Sequence, residues 1–270
     1  MKTMKTPISL LFAMLGGMVA ATLCSCNPIS PDAGILKNAP RSVKYEHADQ
    51  YIMGGTTLNQ PVHDIDIAWL ADSLIIEAYD GTQVSFYETA SGVLDDNTTL
   101  YYRLEPNGDL SIQYAKSGYQ IPKDDSTFHK QLHLLIPRSM KVDDLDVSAV
   151  GTSVVIRGIE CKELSPELVA ADVYIHDVKC HSLDADIVSS QLESHFTTLP
   201  DEIGMEAVAS KMTFFVPENA GIDCEMDRVA AQFECDLPYF KRGTGHYVIG
   251  NQACEMDIDA VSSSVNIKVE

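Results

Sequence analysis

The sequence is poor in cations and in aromatic residues. It has 19 Lys and Arg residues against 39 Asp and Glu residues, a formal net charge of -20, and a single Trp in 270 residues. Nucleic-acid binding requires a stripe of Lys and Arg that displaces the counterions of the phosphate backbone, so this deficit excludes nucleic acid as a partner. The hydrophobic content of 45% excludes a disordered chain and predicts one large domain or two small ones.

Cysteines are also few, and none of the seven forms a CxxC pair, which argues against a zinc ribbon. If Cys24 leaves with a signal peptide and Cys26 carries a lipid, five cysteines remain. An odd number excludes a fully paired disulfide framework. The sequence contains no Walker loop, GxGxxG, GxSxG or HExxH motif. It therefore predicts no cofactor, no metal site and no catalytic residue.

The first 26 residues place two lysines ahead of a short apolar run that is too short for a good membrane span. Residues 1–25 are predicted to be a lipoprotein signal peptide, because Leu23-Cys24-Ser25-Cys26 resembles a bacterial lipobox. Cys26 is then the lipidated N-terminus that anchors the chain to a membrane; cleavage by ordinary signal peptidase is the alternative. Asn27 after the lipid-bearing Cys favours sorting to the outer membrane if the host has two membranes.

Residues 26–58 mix Pro, Asn, Gly and polar residues without a sustained period, which predicts a lipidated N-terminus and flexible tether. Residues 59–140 are predicted to be rich in β-strands. Ile65, Ile67 and Trp69 alternate with polar or small residues there, with the period of a half-buried strand.

Residues 141–270 contain a repeat of Val, two small residues, any residue and an apolar residue. The repeats start 19, 19, 20, 21 and 32 residues apart, and such near-constant periods are typical of a solenoid. We predict an all-β fold in which the N-terminal strands continue into a single-stranded parallel β-helix of about six coils. Small residues are expected at each sharp corner between inward-facing side chains. The corners begin at Val150, Val169, Val188, Val208, Val229 and Val261.

Two cysteines follow the repeat register, since Cys161 and Cys180 each lie 11 residues after a corner valine. They are predicted to stack in one column. Neighbouring in-register Cα atoms, about 4.8 Å apart, fall within the disulfide range, but the Cβ atoms are held too far apart for easy bridging. We therefore expect buried free thiols, with a Cys161–Cys180 disulfide as the alternative.

Acidic and aromatic side chains alternate with apolar ones along the predicted strands. This pattern favours solvated carboxylates, with a calcium role as a weaker alternative. His129 and His133 are spaced i and i+4 but have no third ligand nearby in sequence. An aromatic platform for sugars is the alternative to core packing for several side chains: Phe86, Tyr101, Tyr102, Tyr114 and Tyr119.

With the repeats laid out, the chain resembles the bacterial putative-adhesin family of unknown function. The matching segments are IEAYDGTQVSFYETA (76–90), LYYRLEPNGDLSIQYAKSG (100–118), KQLHLLIP (130–137) and the coils that end in CEMDIDAVSSSVNIKVE. The corner glycine common in that family is mostly replaced here by Ala or Ser. The resemblance implies a β-helical envelope lipoprotein and no catalytic residues.

These observations favour a non-catalytic, lipid-anchored envelope protein whose surface serves adhesion, scaffolding or sensing, with a protein or glycan ligand. One alternative is a carbohydrate-active β-helix enzyme with an Asp-lined groove, whose candidate acids include Asp144, Asp184 and Asp257. The other is a solenoid that self-associates end to end through the last coil, where Val265, Ile267 and Val269 alternate.

Overall fold

The structure of the protein, a computed structural model, describes residues 42–121 and 128–270. The predicted signal peptide and the lipid attachment site at Cys26 lie outside these residues. The described chain is all-β: 20 strands form one continuous sheet, and one short 3-10 turn lies at Ala48–Gln50. No helix in the described ranges has the length and apolar character that crossing a membrane requires.

Parallel pairing dominates the sheet, and its long strands bend at a corner. The first row of strands runs in the spatial order β6 (Asp109–Gln113), the first half of β3 (Asp64–Tyr79), the first half of β8 (Lys141–Arg157), β9 (Glu160–Val169), β11 (Ser182–Val188), β13 (Glu202–Val208), β19 (Cys254–Val261) and β15 (Ile222–Val229).

The second row lies beyond the corner and follows the same order. It contains β7 (Lys130–Pro137), the second half of β3, the second half of β8, β10 (Asp172–His176), β12 (Gln191–His195), β14 (Lys211–Val216), β20 (Ser264–Val269) and β16 (Gln232–Cys235).

Antiparallel strands complete both ends of the stack. At one end, β1 (Ile52–Met53) pairs with β5 (Tyr101–Leu104), which pairs with β6, while β2 (Thr56–Thr57) pairs with β4 (Ser85–Ala90), which pairs with β7. At the other end, β18 (His246–Ile249) pairs with β15 and with β17 (Tyr239–Lys241).

One apolar core runs through the parallel strands because alternate side chains point inward. Ile65, Leu145, Leu164, Leu183 and Ile203 occupy one column of this core, and each is 1% exposed or less. Burial of this kind contributes about 25 cal/mol per Å² of apolar surface, so stacking of the strands is what stabilises them.

The corner valines lie in one column, in the spatial order Val150, Val169, Val188, Val208, Val261 and Val229. The residue after each valine has a positive φ: 63° at Gly151 and 51–54° at the Ala or Ser of the other corners. Ala and Ser can therefore hold the left-handed turn that the family's glycine would favour, at a cost of order 1 kcal/mol each.

The small residues that follow the corner valines have a role beyond the sharp corner expected from the sequence. Val169 and Val188 are buried but lie outside the main core cluster. The inward residue is the one two positions later, and Ser190, Ser210 and Ser263 are buried there. Their hydroxyls accept the amides of Ala171, Ser190 and Ser210, respectively, at 3.1–3.2 Å. This serine ladder joins neighbouring corners.

The order of stacking corrects the prediction about the last coil. Residues 254–269 lie between the strands of residues 202–216 and those of residues 222–235. Both edges of β20 are therefore paired over most of its length, at Val265 and Ile267 among others. End-to-end association through β20 would need an unpaired backbone edge, and β20 has none over most of its length. The 32-residue spacing before Val261 reflects the detour through β17 and β18.

The predicted tether also ends earlier than expected. Val43 and Leu58 are each 6% exposed, and the backbone of Val43 is hydrogen-bonded to Gly118 and Tyr119. Tyr45 Oη accepts a hydrogen bond of 3.0 Å from the amide of Ser117. The segment is thus held against the sheet through Val43, Tyr45 and Leu58, while Ile52 and Met53 remain exposed.

Candidate functional site

The outward side chains of the first row of strands form what we call the acidic face. It carries 17 carboxylates beyond the first residues of β8 and β9, where the exposed Lys141 and Lys162 form ion pairs with Glu160 and Asp143. The carboxylates belong to Asp64, Asp66, Asp109, Asp144, Asp146, Glu163, Glu167, Asp184, Asp186, Glu202, Glu206, Asp223, Glu225, Asp227, Glu255, Asp257 and Asp259.

Parallel register brings like charges directly opposite one another on this face. Glu167, Asp186, Glu206, Asp259 and Asp227 occupy successive strands in one row. Neighbouring strands are about 4.8 Å apart, a separation at which like charges destabilise a sheet. The three candidate acids Asp144, Asp184 and Asp257 lie on this same face. Asp184 and Asp257 share a row and are separated by Gly204.

Burial and crowding together raise several pKa values on the acidic face. The pKa of Asp66 rises to about 7 because of burial first, and then because of the neighbouring Asp146 and Glu167. Its Oδ1 atom is buried without a hydrogen-bond partner in the described protein. The pKa of Asp186 rises to about 6, again from burial first and then from Glu206. Some of these carboxylates are therefore not simply solvated, as alternation alone suggested.

The outward side chains of the second row form what we call the mixed face. Arg157, His176, His195, Phe215 and Lys268 occupy one row across five strands. The rings of His195 and Phe215 are stacked, with centroids 4.3 Å apart and planes at 11°. Lys268 Nζ lies 5.8 Å from the centroid of the Phe215 ring, a cation–π contact.

Ion pairs and hydrogen bonds satisfy much of this row. Arg157 Nη2 lies 2.5 Å from Glu77 Oε2. His195 lies between two acids, with Nε2 2.9 Å from Glu193 Oε1 and Nδ1 3.3 Å from Glu270 Oε1. The mixed face thus combines charges of both signs with exposed rings.

A shallow groove of about 350 Å³ lies on the mixed face beside this row. Asp172, Gln191 and Lys211 line it from three successive strands, and Tyr174 and Thr213 lie beside them. Asp172, Tyr174, Gln191 and Lys211 are all exposed. The groove brings together a carboxylate, an amide, an ammonium group and an aromatic ring.

The aromatic side chains suggested by the sequence do not form a surface platform. Phe86 and Tyr114 are 1% and 6% exposed, and the rings of Phe86 and Tyr102 pack edge to face at 5.0 Å. Tyr114 packs against Trp69 at 5.1 Å. The exposed ring beside the groove belongs to Tyr174 instead.

Residue types recur at fixed distances from the corner valines, and this pattern distinguishes the two faces, although the sequence analysis did not use it. The seventh residue after a corner valine is Arg157, His176, His195, Phe215 or Lys268 in the five coils of the mixed-face row. The second residue before most corner valines is an acid of the acidic face. Reading the sequence at these offsets would have separated the two faces.

All five cysteines of the described chain are free thiols. Cys161 is 2% exposed and its side chain is hydrogen-bonded to Cys180, which, followed by burial, raises the pKa of the Cys161 thiol well above its usual range. Burial likewise raises the pKa values of Cys224 and Cys254 to about 12. These thiols are protonated at neutral pH, which makes them poor nucleophiles and poor metal ligands.

His129 and His181 each pair with one acid, whereas His195 and His246 each lie near two. His129 Nδ1 lies 2.8 Å from Asp72 Oδ1, and His181 Nδ1 lies 2.7 Å from Asp201 Oδ2. The ring of His133 stacks on the ring of Tyr87, with the two centroids 4.7 Å apart. Within residues 42–121 and 128–270, no group of three or more His, Cys, Asp or Glu side chains is arranged to hold a metal ion.

Comparison with solved structures identifies the fold. A putative cell adhesion protein from Clostridium sporogenes superposes with a TM-score of 0.52 at 10% sequence identity, over 82% of this chain and 99% of that protein. The chain has the fold of that protein. The resemblance to the putative-adhesin family is thus supported at the level of the fold.

Two other solved structures match with lower scores. A putative adhesin from Bacteroides fragilis has a TM-score of 0.34 at 8% identity, over 82% of this chain and 97% of that one. A putative lipid binding protein from Parabacteroides distasonis has a TM-score of 0.32 at 10% identity, over 83% and 98%. No protein-family model matches the sequence, and no curated protein matches it.

Proposed function

We propose that this chain is a non-catalytic envelope protein of adhesin type, which presents its strand faces for adhesion, scaffolding or sensing. The observation that carries the proposal is the shared fold with a putative cell adhesion protein, matched over nearly the whole of that protein. The exposed groove of the mixed face supports it, since the groove offers polar groups and a ring to a ligand. Fold alone does not define function, so the proposal depends on this surface.

The proposal includes a parallel β-helix of about six coils as the scaffold. The single column of six corner valines and the parallel register on both sides of the corner support this description. The segment Asp64–Tyr79 pairs with residues of β8 on both sides of the corner, so it belongs to the same stack. In such an architecture each coil buries its apolar face only by stacking on its neighbours.

A lipid at Cys26 would anchor this scaffold to a membrane. The supporting observation is the lipobox-like sequence Leu23-Cys24-Ser25-Cys26. Cells that express the full chain and are fed an alkyne analogue of palmitate should yield a labelled protein in the membrane fraction. Cys26→Ser should abolish the label, and Cys24→Ser should retain it. An unlabelled parent protein would contradict the anchor.

The ligand-binding part of the proposal is tested with the full-length protein in detergent micelles. Saturable binding to an envelope glycan, to host extracellular matrix or to an envelope protein is expected, with no chemical change in the bound molecule. Absence of saturable binding in all three classes would contradict an adhesin-type role.

The alternative is a carbohydrate-active enzyme that uses the acidic face. Its support is that Asp144, Asp184 and Asp257 share that face, and that the pKa of the nearby Asp186 is raised to about 6, a value suited to a general acid. New reducing ends from polygalacturonate, lost in Asp186→Asn and retained in the matched variant Asp227→Asn, would favour this alternative over the non-catalytic role.

A further inference from the structure

The groove on the mixed face is built from a row of side chains that the protein itself does not satisfy. Asp172, Gln191 and Lys211 lie in register on β10, β12 and β14. In the described part of the chain, none of these three side chains makes a hydrogen bond or an ion pair. Because neighbouring strands are about 4.8 Å apart, the row offers one polar group at each such step across the sheet.

The groove row differs from another row of the mixed face. Four residues further along the strands, His195 on β12 is held by Glu193 and Glu270, and Arg157 on the neighbouring β8 is held by Glu77. These side chains are occupied by partners within the protein. The groove side chains of the same strands have donors and acceptors that only solvent or a ligand can satisfy.

The row contains both kinds of hydrogen-bonding group. An ionised Asp only accepts, Lys only donates, and Gln does both. Asp172 and Lys211 lie two strands apart, with Gln191 between them, so about 10 Å separates their backbones. A ligand that lies along the row must therefore itself offer alternating donors and acceptors, as hydroxyl groups do.

Tyr174 supplies an aromatic surface beside this row. Its residue is 36% exposed, and its ring lies 5.9 Å from that of His176 with planes at 12°. An exposed ring of this kind takes up the apolar face of a flat or ring-shaped ligand. The groove is open and shallow, which suits a chain that lies across the strands rather than a small molecule that is enclosed.

We propose that this groove binds a segment of a neutral polysaccharide, with a sugar ring stacked on Tyr174 and hydroxyl groups bonded to Asp172, Gln191 and Lys211. The ligand is neutral because the net charge of -20 repels a polyanion at long range, and Asp172 and Glu193 repel it within the site. The inference rests on the proposed adhesin-type function and specifies its ligand class.

The test measures binding of the full-length protein in detergent micelles to neutral hexasaccharides of glucose, xylose and N-acetylglucosamine, by saturation-transfer NMR and calorimetry. At least one of them should bind. Tyr174→Ala should weaken binding at least 10-fold, and Gln191→Ala and Lys211→Met several-fold each. The matched control is Tyr239→Ala, another exposed tyrosine that lies in β17 away from the groove, which should bind like the parent.

The outcomes separate this inference from the proposed function. Binding of no neutral hexasaccharide, or binding that Tyr174→Ala leaves unchanged in a variant with the parent melting temperature, overturns the groove assignment. If the protein then binds a protein or peptide saturably, the adhesin-type role stands and the glycan inference falls. Cleavage of a bound hexasaccharide would overturn the non-catalytic function while keeping the ligand class.

Discussion

The acidic face and the mixed face are built from the same turns of chain, yet they differ in nearly every outward side chain. The first row of strands places 17 carboxylates outward, with Lys141 and Lys162 as exposed cations at one edge, whereas the second row alternates acids, bases, amides and rings. The difference shows how parallel stacking converts a repeated residue type in the sequence into a surface of one chemical character. Because the parallel strands repeat the same register, a residue type that recurs at one offset becomes a whole row of the surface.

The two faces also differ in their electrostatic contribution to the stability of the fold. On the acidic face, like charges lie opposite each other, and burial with crowding raises the pKa values of Asp66 and Asp186. On the mixed face, ion pairs such as Arg157–Glu77 compensate charge locally. The acidic face therefore costs stability at neutral pH, and the mixed face leaves one row of side chains open for a ligand.

The largest expected effect is stabilisation by mild acid. A carboxyl whose folded pKa lies above its unfolded value binds protons more tightly in the folded state, so its contribution to stability is greatest below the unfolded pKa of about 4 and falls as pH rises to about 7. The melting temperature should therefore rise when the pH is lowered from 8 to 5. Asp66→Asn should raise the free energy of unfolding at pH 8 by on the order of 2 kcal/mol and flatten this dependence.

The control for acidification is Asp184→Asn, an exposed acid of the same face. It should change the pH dependence less than Asp66→Asn does. A melting temperature that falls steadily from pH 8 to pH 5 would contradict the assignment of raised pKa values. Below about pH 4 the trend should reverse, because Asp143 and Glu160, held by hydrogen bonds from Lys162 and Lys141, have lowered pKa values.

The next effect concerns the corner that joins the two faces. Ser210→Ala removes a hydroxyl that accepts the Ser190 amide at 3.2 Å and donates to the Val208 carbonyl at 2.9 Å. An amide left unsatisfied in the interior costs about 1–3 kcal/mol. Chemical denaturation should show a loss of that size. Ser153→Ala, at an exposed serine of the mixed face, should stay within about 0.5 kcal/mol of the parent.

The smallest effect compares the two faces directly with the same substitution. Glu206 lies between Asp186 and Asp259 in the acidic row, whereas Glu193 pairs with His195 on the mixed face. Glu206→Gln should stabilise the protein by about 0.3–0.5 kcal/mol, and Glu193→Gln should give no gain or a small loss. Equal gains from both variants would show that net charge, rather than the local row, sets the energy.

Several features followed from local patterns. Alternation at Ile65, Ile67 and Trp69 predicted a half-buried strand, and all three side chains are 1% exposed or less. The repeat around Val150 and its equivalents predicted an all-β fold. The same stack contains Asp64–Tyr79, which lies outside the predicted repeat because Leu70-Ala71-Asp72 lacks the corner valine, although Leu70 pairs with Val150.

The candidate site was less accessible to sequence reasoning. Tyr174 was overlooked because one exposed tyrosine in a strand carries no signal by itself, and its value depends on Gln191 and Lys211, 17 and 37 residues away in sequence. Phe86 and Tyr114 were considered for a sugar platform, but packing against Tyr102 and Trp69 places them in the interior. Exposure depends on which neighbours cover a ring, and these neighbours are distant in sequence.

The sequence by itself determined the strand periodicity, the corner positions and the offsets that assign each residue to a face, because these depend on alternation and on spacing within one coil. Tertiary structure alone decided the stacking order, in which residues 254–269 lie between strands that precede them in the chain. The physical reason is that backbone hydrogen bonds between strands are the same for every sequence. Which strand pairs with which is therefore decided by the packing of distant side chains and by the detour through β17 and β18.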